Sequence, residues 1–99
     1  QGQRKKELSM LVLPTELTHA QATPCLRMLV SGMRSVPATD GVVLDASALR
    51  RFDSSALAVL LEFRREALAA GRTFAIRGLP HRLESLAALY GIGGLLPAA

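Results

Sequence analysis

The chain has 99 residues, which is enough for one small domain with a modest core. Apolar residues make up 49% of it, but the longest unbroken apolar run, residues 56–61, has six residues. A membrane-spanning helix needs roughly 20, and the N-terminus has no signal-peptide pattern, so we expect a soluble protein. The single cysteine, Cys25, excludes an internal disulfide and a paired-cysteine metal site, and predicts a small buried hydrophobic residue.

The formal net charge of +4 is concentrated near the N-terminus. Residues 10–99 hold nine Lys or Arg and seven Asp or Glu, a balance of +2, whereas residues 1–8 contain Arg4, Lys5 and Lys6. No aromatic residues alternate with a basic stripe, so nucleic-acid binding is only a weak alternative. Residues 1–8 are interpreted as a basic tail, either a solubilising terminus or a contact with anionic lipid headgroups.

The first predicted elements are a strand and an amphipathic helix. Residues 9–14 form a short apolar run that Pro14 ends, which is typical of a strand. Thr23 as N-cap and Pro24 at the first helical position predict a helix over 23–36. The apolar residues of this helix share one face, and they are Leu26, Leu29, Val30 and Met33.

The rest of the chain continues the alternation of strands and helices. Residues 41–47 predict a strand buried on both faces, because apolar residues follow one another there, and residues 72–78 predict a further strand. Helices are predicted over 54–70 and 80–91, each closed by a glycine. Strands separated by helices imply at least two βα crossovers. The predicted fold class is therefore α/β, with a small, largely parallel or mixed sheet of about four strands and helices packed on it.

A helical wheel divides the predicted 54–70 helix into two sides. One side should lie on the sheet, and it carries Ala56, Leu57, Leu60, Leu61, Phe63, Ala67 and Leu68. Arg64 falls within this apolar arc, and we expect its stem to pack while its guanidinium reaches solvent, since a buried ion pair has a high desolvation cost. The other side is predicted to be an outer surface suited to docking another protein, and it carries Ser55, Ala58, Val59, Glu62 and Glu66.

Two interpretations are open for Asp53 and Ser54, which stand at the start of this helix. An Asp or Ser at the N-cap accepts a hydrogen bond from one of the first N–H groups, which have no partner within the helix, and this stabilises the helix. A hydroxyl exposed at a helix N-terminus is also well placed to carry a phosphate, because the free N–H groups and the helix dipole favour negative charge there. Capping is the more common role, and spacing alone does not decide between the two.

The segment VVLDASALRRFDSSALAVLLEF, residues 42–63, resembles the signature of the STAS domain family. That signature is a hydrophobic strand ending in Asp, a short loop, and D-S-S/T-G-L at the start of a helix; here Ala56 stands in place of the glycine. A closer resemblance is to the STAS subunit of the Mla phospholipid-transport complex of Gram-negative bacteria. It rests on an LALPGEL-like start at residues 11–17, a helix with LAxLY at 86–90, and an ending at Leu96 and Pro97. The resemblance implies a single STAS domain over residues 9–99.

The resemblance also implies a function. It implies a non-catalytic, cytoplasmic accessory subunit that binds the ATPase of an ABC-type phospholipid transporter, together with its permease, in the transport that maintains outer-membrane lipid asymmetry. Contact with the inner membrane would be indirect, through this complex, and no cofactor, metal or nucleic acid is implied. In antagonists of the family the phosphorylated residue follows the second Asp of the signature, and that position here is Ser54. The expected partner-contact residues are Ser54 with Asp53, Ser55, Ala58, Val59 and Glu62.

The residues themselves agree with a non-catalytic protein. The sequence contains no GxxxxGK[ST] phosphate-binding loop and no set of residues that suggests a nucleophile with its base. The two histidines, His19 and His81, are expected to be surface or capping residues. The alternative function is an anti-sigma-factor antagonist in a phosphorylation-controlled partner switch, which is favoured only by Asp53, Ser54 and Ser55.

Overall fold

The computed structural model describes residues 7–99. These form β1 (Leu8–Val12), β2 (Glu16–Leu17), α1 (Ala22–Arg34), β3 (Gly41–Asp45), β4 (Arg51–Phe52), α2 (Ser54–Ala69), β5 (Phe74–Arg77), α3 (His81–Leu89) and a short 3-10 helix (Gly93–Leu95). Strand β1 thus begins at the last residue of the predicted tail. The basic residues of that tail, Arg4, Lys5 and Lys6, lie outside the described residues.

The main sheet has three parallel strands in the order β1-β3-β5. A second sheet consists of the two short parallel strands β2 and β4. Helices α1 and α2 provide the two crossovers of the main sheet, and α3 follows β5. The predicted α/β fold with a parallel sheet is therefore confirmed. The two-residue strands β2 and β4 were not predicted, because two residues carry no periodicity.

The helices cover one face of the main sheet. On that face Val42, Leu44 and Ile76 join the core and are at most 2% exposed. On the opposite face the β1 side chains Leu8 and Val12 are 65% and 60% exposed. Strand β3 is buried on both faces as predicted, but on the open face its cover comes from side chains of neighbouring strands. Two right-handed crossovers in the same direction place both helices on the same side of the sheet, which explains why one face is covered and the other is open.

Helix α2 is the central helix of the core. It contacts α1, α3 and β5, and its buried residues are Ala56, Leu57, Val59, Leu60, Phe63 and Ala67. The prediction that Val59 is exposed is wrong, since it is 3% exposed; contact with α1 as well as the sheet widens the buried arc of the helix. Leu68, predicted to face the sheet, is 46% exposed. Arg64 is half-buried and forms no ion pair within residues 7–99, in agreement with the predicted packing of its stem.

Helix α1 begins earlier than predicted. Its first residue is Ala22 and its N-cap is Gln21, so Thr23 is not the cap. The side-chain oxygen of Gln21 accepts hydrogen bonds from the backbone N–H and the hydroxyl of Thr18, at 2.8 and 2.7 Å, which closes the turn before the helix. Pro24 then falls in the first turn, where a missing N–H leaves no helical hydrogen bond unmade.

The buried face of α1 is centred on Cys25, Leu29 and Met33. Cys25 is 5% exposed, and burial raises the pKa of its thiol. The interpretation of this cysteine as a buried hydrophobic residue is confirmed. Leu26 and Val30, which were predicted for the same face, are only half-buried, because they lie at the edge of the core and line an open depression along α1.

Candidate functional site

Asp53 accepts hydrogen bonds both from the start of α2 and from the loop before α1. One carboxylate oxygen accepts a hydrogen bond from the N–H of Ser55 at 2.8 Å, which caps α2, and the other accepts from the backbone N–H of His19 at 3.2 Å. The Ser55 N–H is the main cause that lowers the pKa of Asp53, and the His19 N–H adds to it. Asp53 is therefore a capping carboxylate that also fixes the loop leading into α1, and the predicted capping role is confirmed for this residue.

Ser54 occupies the first position of α2 and is exposed. Asp53 supplies the cap of the helix, and the hydroxyl of Ser54 has no hydrogen-bond partner within residues 7–99. Ser55, the next residue, is half-buried. The serine that matches the position phosphorylated in antagonists of the family is thus the one that faces solvent at the helix N-terminus.

A shallow groove runs from this helix start along the contact between α1 and α2. We call it the α1–α2 groove, and its lining residues are Ala22, Thr23 and Leu26 from α1 with Ala58, Val59 and Glu62 from α2. Ala58 is exposed at its edge, whereas Val59 is buried in its floor. Glu62 is half-buried and pairs with Arg65 at 3.1 Å. The groove therefore offers an apolar floor with a polar rim.

The structure brings most of the predicted contact residues together. Ser54 and Ala58 lie exposed on the first two turns of α2, and Glu62 continues this side one turn later. The α1 residues of the groove were not predicted as site residues. Successive crossovers on one face of a parallel sheet place α1 beside α2, so the contact between these helices was predictable. The sequence does not say which residues of α1 face α2.

The two histidines are surface residues, as predicted. His19 is exposed in the loop before α1, and the Nδ1 atom of His81 lies 3.8 Å from the carboxylate of Glu84 with both side chains largely exposed. Within residues 7–99 no group of three or more His, Cys, Asp or Glu side chains is placed to hold a metal ion.

The chain also matches a known protein family. The family model described as "Mlab, STAS domain" matches residues 1–97. The chain belongs to this family. A search of curated proteins found no match. STAS domains are generally non-catalytic binding modules that interact with other proteins. The expected functional feature of this STAS domain is therefore a docking surface rather than a reaction centre. Of the helices within residues 7–99, none is both long and apolar enough to cross a bilayer.

Ala56, which replaces the glycine of the STAS signature, lies inside the domain. Its methyl group is fully buried among the core side chains of α2. The methyl group that alanine adds therefore packs in the core and does not alter the outer surface formed by Ser54 and Ala58.

Proposed function

We propose that this STAS domain is a non-catalytic accessory subunit of an ABC-type phospholipid transporter of the Mla kind. In this proposal it binds the ATPase subunit, which is in complex with a permease, and it supports the assembly and activity of that complex. The protein is cytoplasmic and reaches the inner membrane only through its partner. Membership of the family described as Mlab, together with the LALPGEL-like and LAxLY features of the sequence, supports this partner.

The exposed start of α2 beside the α1–α2 groove is the observation that carries the proposal. The hydroxyl of Ser54 forms no hydrogen bond within the described residues, and the groove next to it has an apolar floor. An apolar depression with a polar rim is the kind of surface that gives a protein interface its buried centre.

The test is co-purification of variants with the ATPase subunit of an Mla-type ABC transporter. Ser54→Glu and Ala58→Glu each insert a carboxylate into the proposed contact, and we expect both to reduce binding while circular dichroism shows an intact fold. Their matched controls are Ser85→Glu and Ala88→Glu, which make the same changes at exposed positions of α3. Wild-type binding by both folded variants would remove this surface as the docking site.

Val59→Glu does not serve as a test of docking. Because Val59 is 3% exposed between α1 and α2, a carboxylate there would be buried without a partner. Loss of binding by this variant would report unfolding rather than a lost contact. Ala58, its exposed neighbour, tests the same part of α2 without this complication.

The second candidate is the anti-sigma-factor antagonist, and the exposure of Ser54 favours it. A phosphate on this serine would lie at the N-terminus of α2, where free N–H groups and the helix dipole favour it. The isolated domain would then stay folded while a closely packed partner would be repelled. Co-purification with a serine kinase of the anti-sigma type, and not with an ABC ATPase and its permease, would select this function.

A further inference from the structure

Two arginines give α1 an unpaired positive charge beside the α1–α2 groove. Arg27 and Arg34 are exposed, and neither forms a salt bridge within residues 7–99. Helix α1 contains no Asp or Glu at all. On the opposite wall, the carboxylate of Glu62 is already paired with Arg65. The unpaired charge that α1 places beside this groove is therefore positive.

The groove also continues past its contact with α2. Leu26 lines the section shared with α2 and a second section along α1, whose other lining residues are Arg27, Val30, Ser31 and Arg34. Leu26 and Val30 are half-buried, so apolar surface remains accessible between the arginines and α2. Glu66, the next carboxylate of α2, lines neither section. From Ala22 to Arg34 the strip rises about 18 Å, the length of roughly three helical turns.

We infer that this strip binds an amphipathic, acidic helix of the partner, an inference that rests on the proposed function and specifies its contact. A helix docks in a groove through apolar residues spaced at three and four positions, and Leu26 and Val30 offer the matching apolar surface. Arg27 and Arg34 are seven residues apart, or about 10 Å along the helix axis. A docked helix with carboxylates at positions i and i+7 pairs with both arginines.

The charge pattern sets what the partner segment must look like. Carboxylates placed opposite Arg27 and Arg34 speed association through attraction, and they reject a segment with Lys or Arg at the same positions. Because both arginines are exposed, added salt screens this attraction. The binding rate should therefore fall as ionic strength rises.

The experiment measures binding of the ABC ATPase that co-purifies with the wild type to the charge-reversed variant Arg27→Glu/Arg34→Glu at low and high salt. We expect affinity at low salt to fall on the order of tenfold, and the salt dependence of the association rate to flatten or invert. The control is Arg77→Glu, which reverses an exposed arginine on the open face of the sheet. Arg77→Glu should bind as the wild type does, and Arg34→Glu alone should already be weaker.

A designed peptide that forms an amphipathic helix with glutamates at positions i and i+7 provides the reciprocal test. When its glutamates are replaced by lysines, the peptide should bind the variant Arg27→Glu/Arg34→Glu and should no longer bind the wild-type protein. Wild-type ATPase affinity in the folded double variant would overturn the inference. If Ser54→Glu and Ala58→Glu abolish binding while the double arginine variant retains it, the accessory-subunit proposal stands and only the acidic helix is rejected.

Discussion

At the scale of single residues, Asp53 does the most to organise the site. It accepts one hydrogen bond from an N–H at the start of α2 and one from an N–H in the loop before α1, so one carboxylate links the two segments. Both hydrogen bonds favour the ionised form, which is why the pKa of Asp53 lies below its ordinary value. The stabilisation by this charge should therefore depend on pH in a known direction.

Asp53→Asn tests that direction, because asparagine keeps an acceptor for the cap and removes the charge. A carboxyl whose folded-state pKa is lowered stabilises the fold above its unfolded pKa of about 3.9, and this contribution is lost as pH falls through the folded value. The melting temperature of the wild type should exceed that of Asp53→Asn at pH 7, and the gap should begin to narrow below about pH 4 and close below the folded-state pKa. A gap that stays constant down to pH 2 would contradict the role of the charge.

Gly78 is a second residue whose identity is dictated by its surroundings. It has a φ of +68°, and a Cβ at this position would lie 2.9 Å from the Cβ and 3.1 Å from the Cα of Ser47. Gly71 has a similar φ of +75° but open space around it. The two glycines therefore separate the cost of a left-handed backbone from the cost of a steric clash.

Gly78→Ala should destabilise the domain more than Gly71→Ala. The left-handed conformation costs a non-glycine residue about 1–2 kcal/mol at either position. Crowding against Ser47 should add about 1–3 kcal/mol at Gly78 alone. Urea unfolding of both variants measures the difference, and equal free energies of unfolding would show that the Ser47 loop moves aside without cost.

Several residue-level features could not be predicted from sequence because they depend on distant parts of the chain. Arg72 is 7% exposed, and its guanidinium donates to the carbonyl oxygens of Val36, Pro37 and Asp40. These acceptors lie more than 30 residues away, and no local pattern marks them. By contrast, the capping role of Asp53 was predictable, since an N-cap interaction is local.

At the scale of elements, the sequence predicted the α/β alternation because each long element has its own periodicity or end signal. The predicted helix over 54–70 matches α2, and Gly71 with its positive φ follows the end of the helix. The outer surface of α2 was harder to predict. A helical wheel assumes one buried side, whereas α2 packs on the sheet and on α1, and this second contact is what buries Val59.

Leu60→Ala tests the assigned core face of α2. Leu60 is fully buried, so truncation should lower the free energy of unfolding by about 2–5 kcal/mol. Leu68→Ala is the matched control on the same helix, because Leu68 is 46% exposed and should change stability by only about 0.5 kcal/mol. Chemical denaturation measures both. Equal effects of the two variants would mean that the buried face of α2 is wrongly assigned.

At the scale of the whole molecule, the two faces of the sheet have different roles. Helices α1 and α2 together cover one face of the parallel sheet β1-β3-β5. The other face exposes Leu8, Met10 and Val12 of β1. The proposed partner contact uses the helical layer, where Ser54, Ala58 and the arginines of α1 lie. The open sheet face should therefore be dispensable for binding the ATPase.

The double variant Leu8→Gln/Val12→Thr tests this division. Both side chains are at least 60% exposed, so their replacement by polar residues removes little buried apolar area, and we expect an unchanged circular dichroism spectrum. Val12→Thr also keeps a β-branched residue in the strand. Co-purification with the ATPase should equal that of the wild type, whereas Ala58→Glu, compared in the same experiment, should reduce it. A folded double variant that loses the ATPase would place the partner on the sheet, because no residue of the helical layer has been changed.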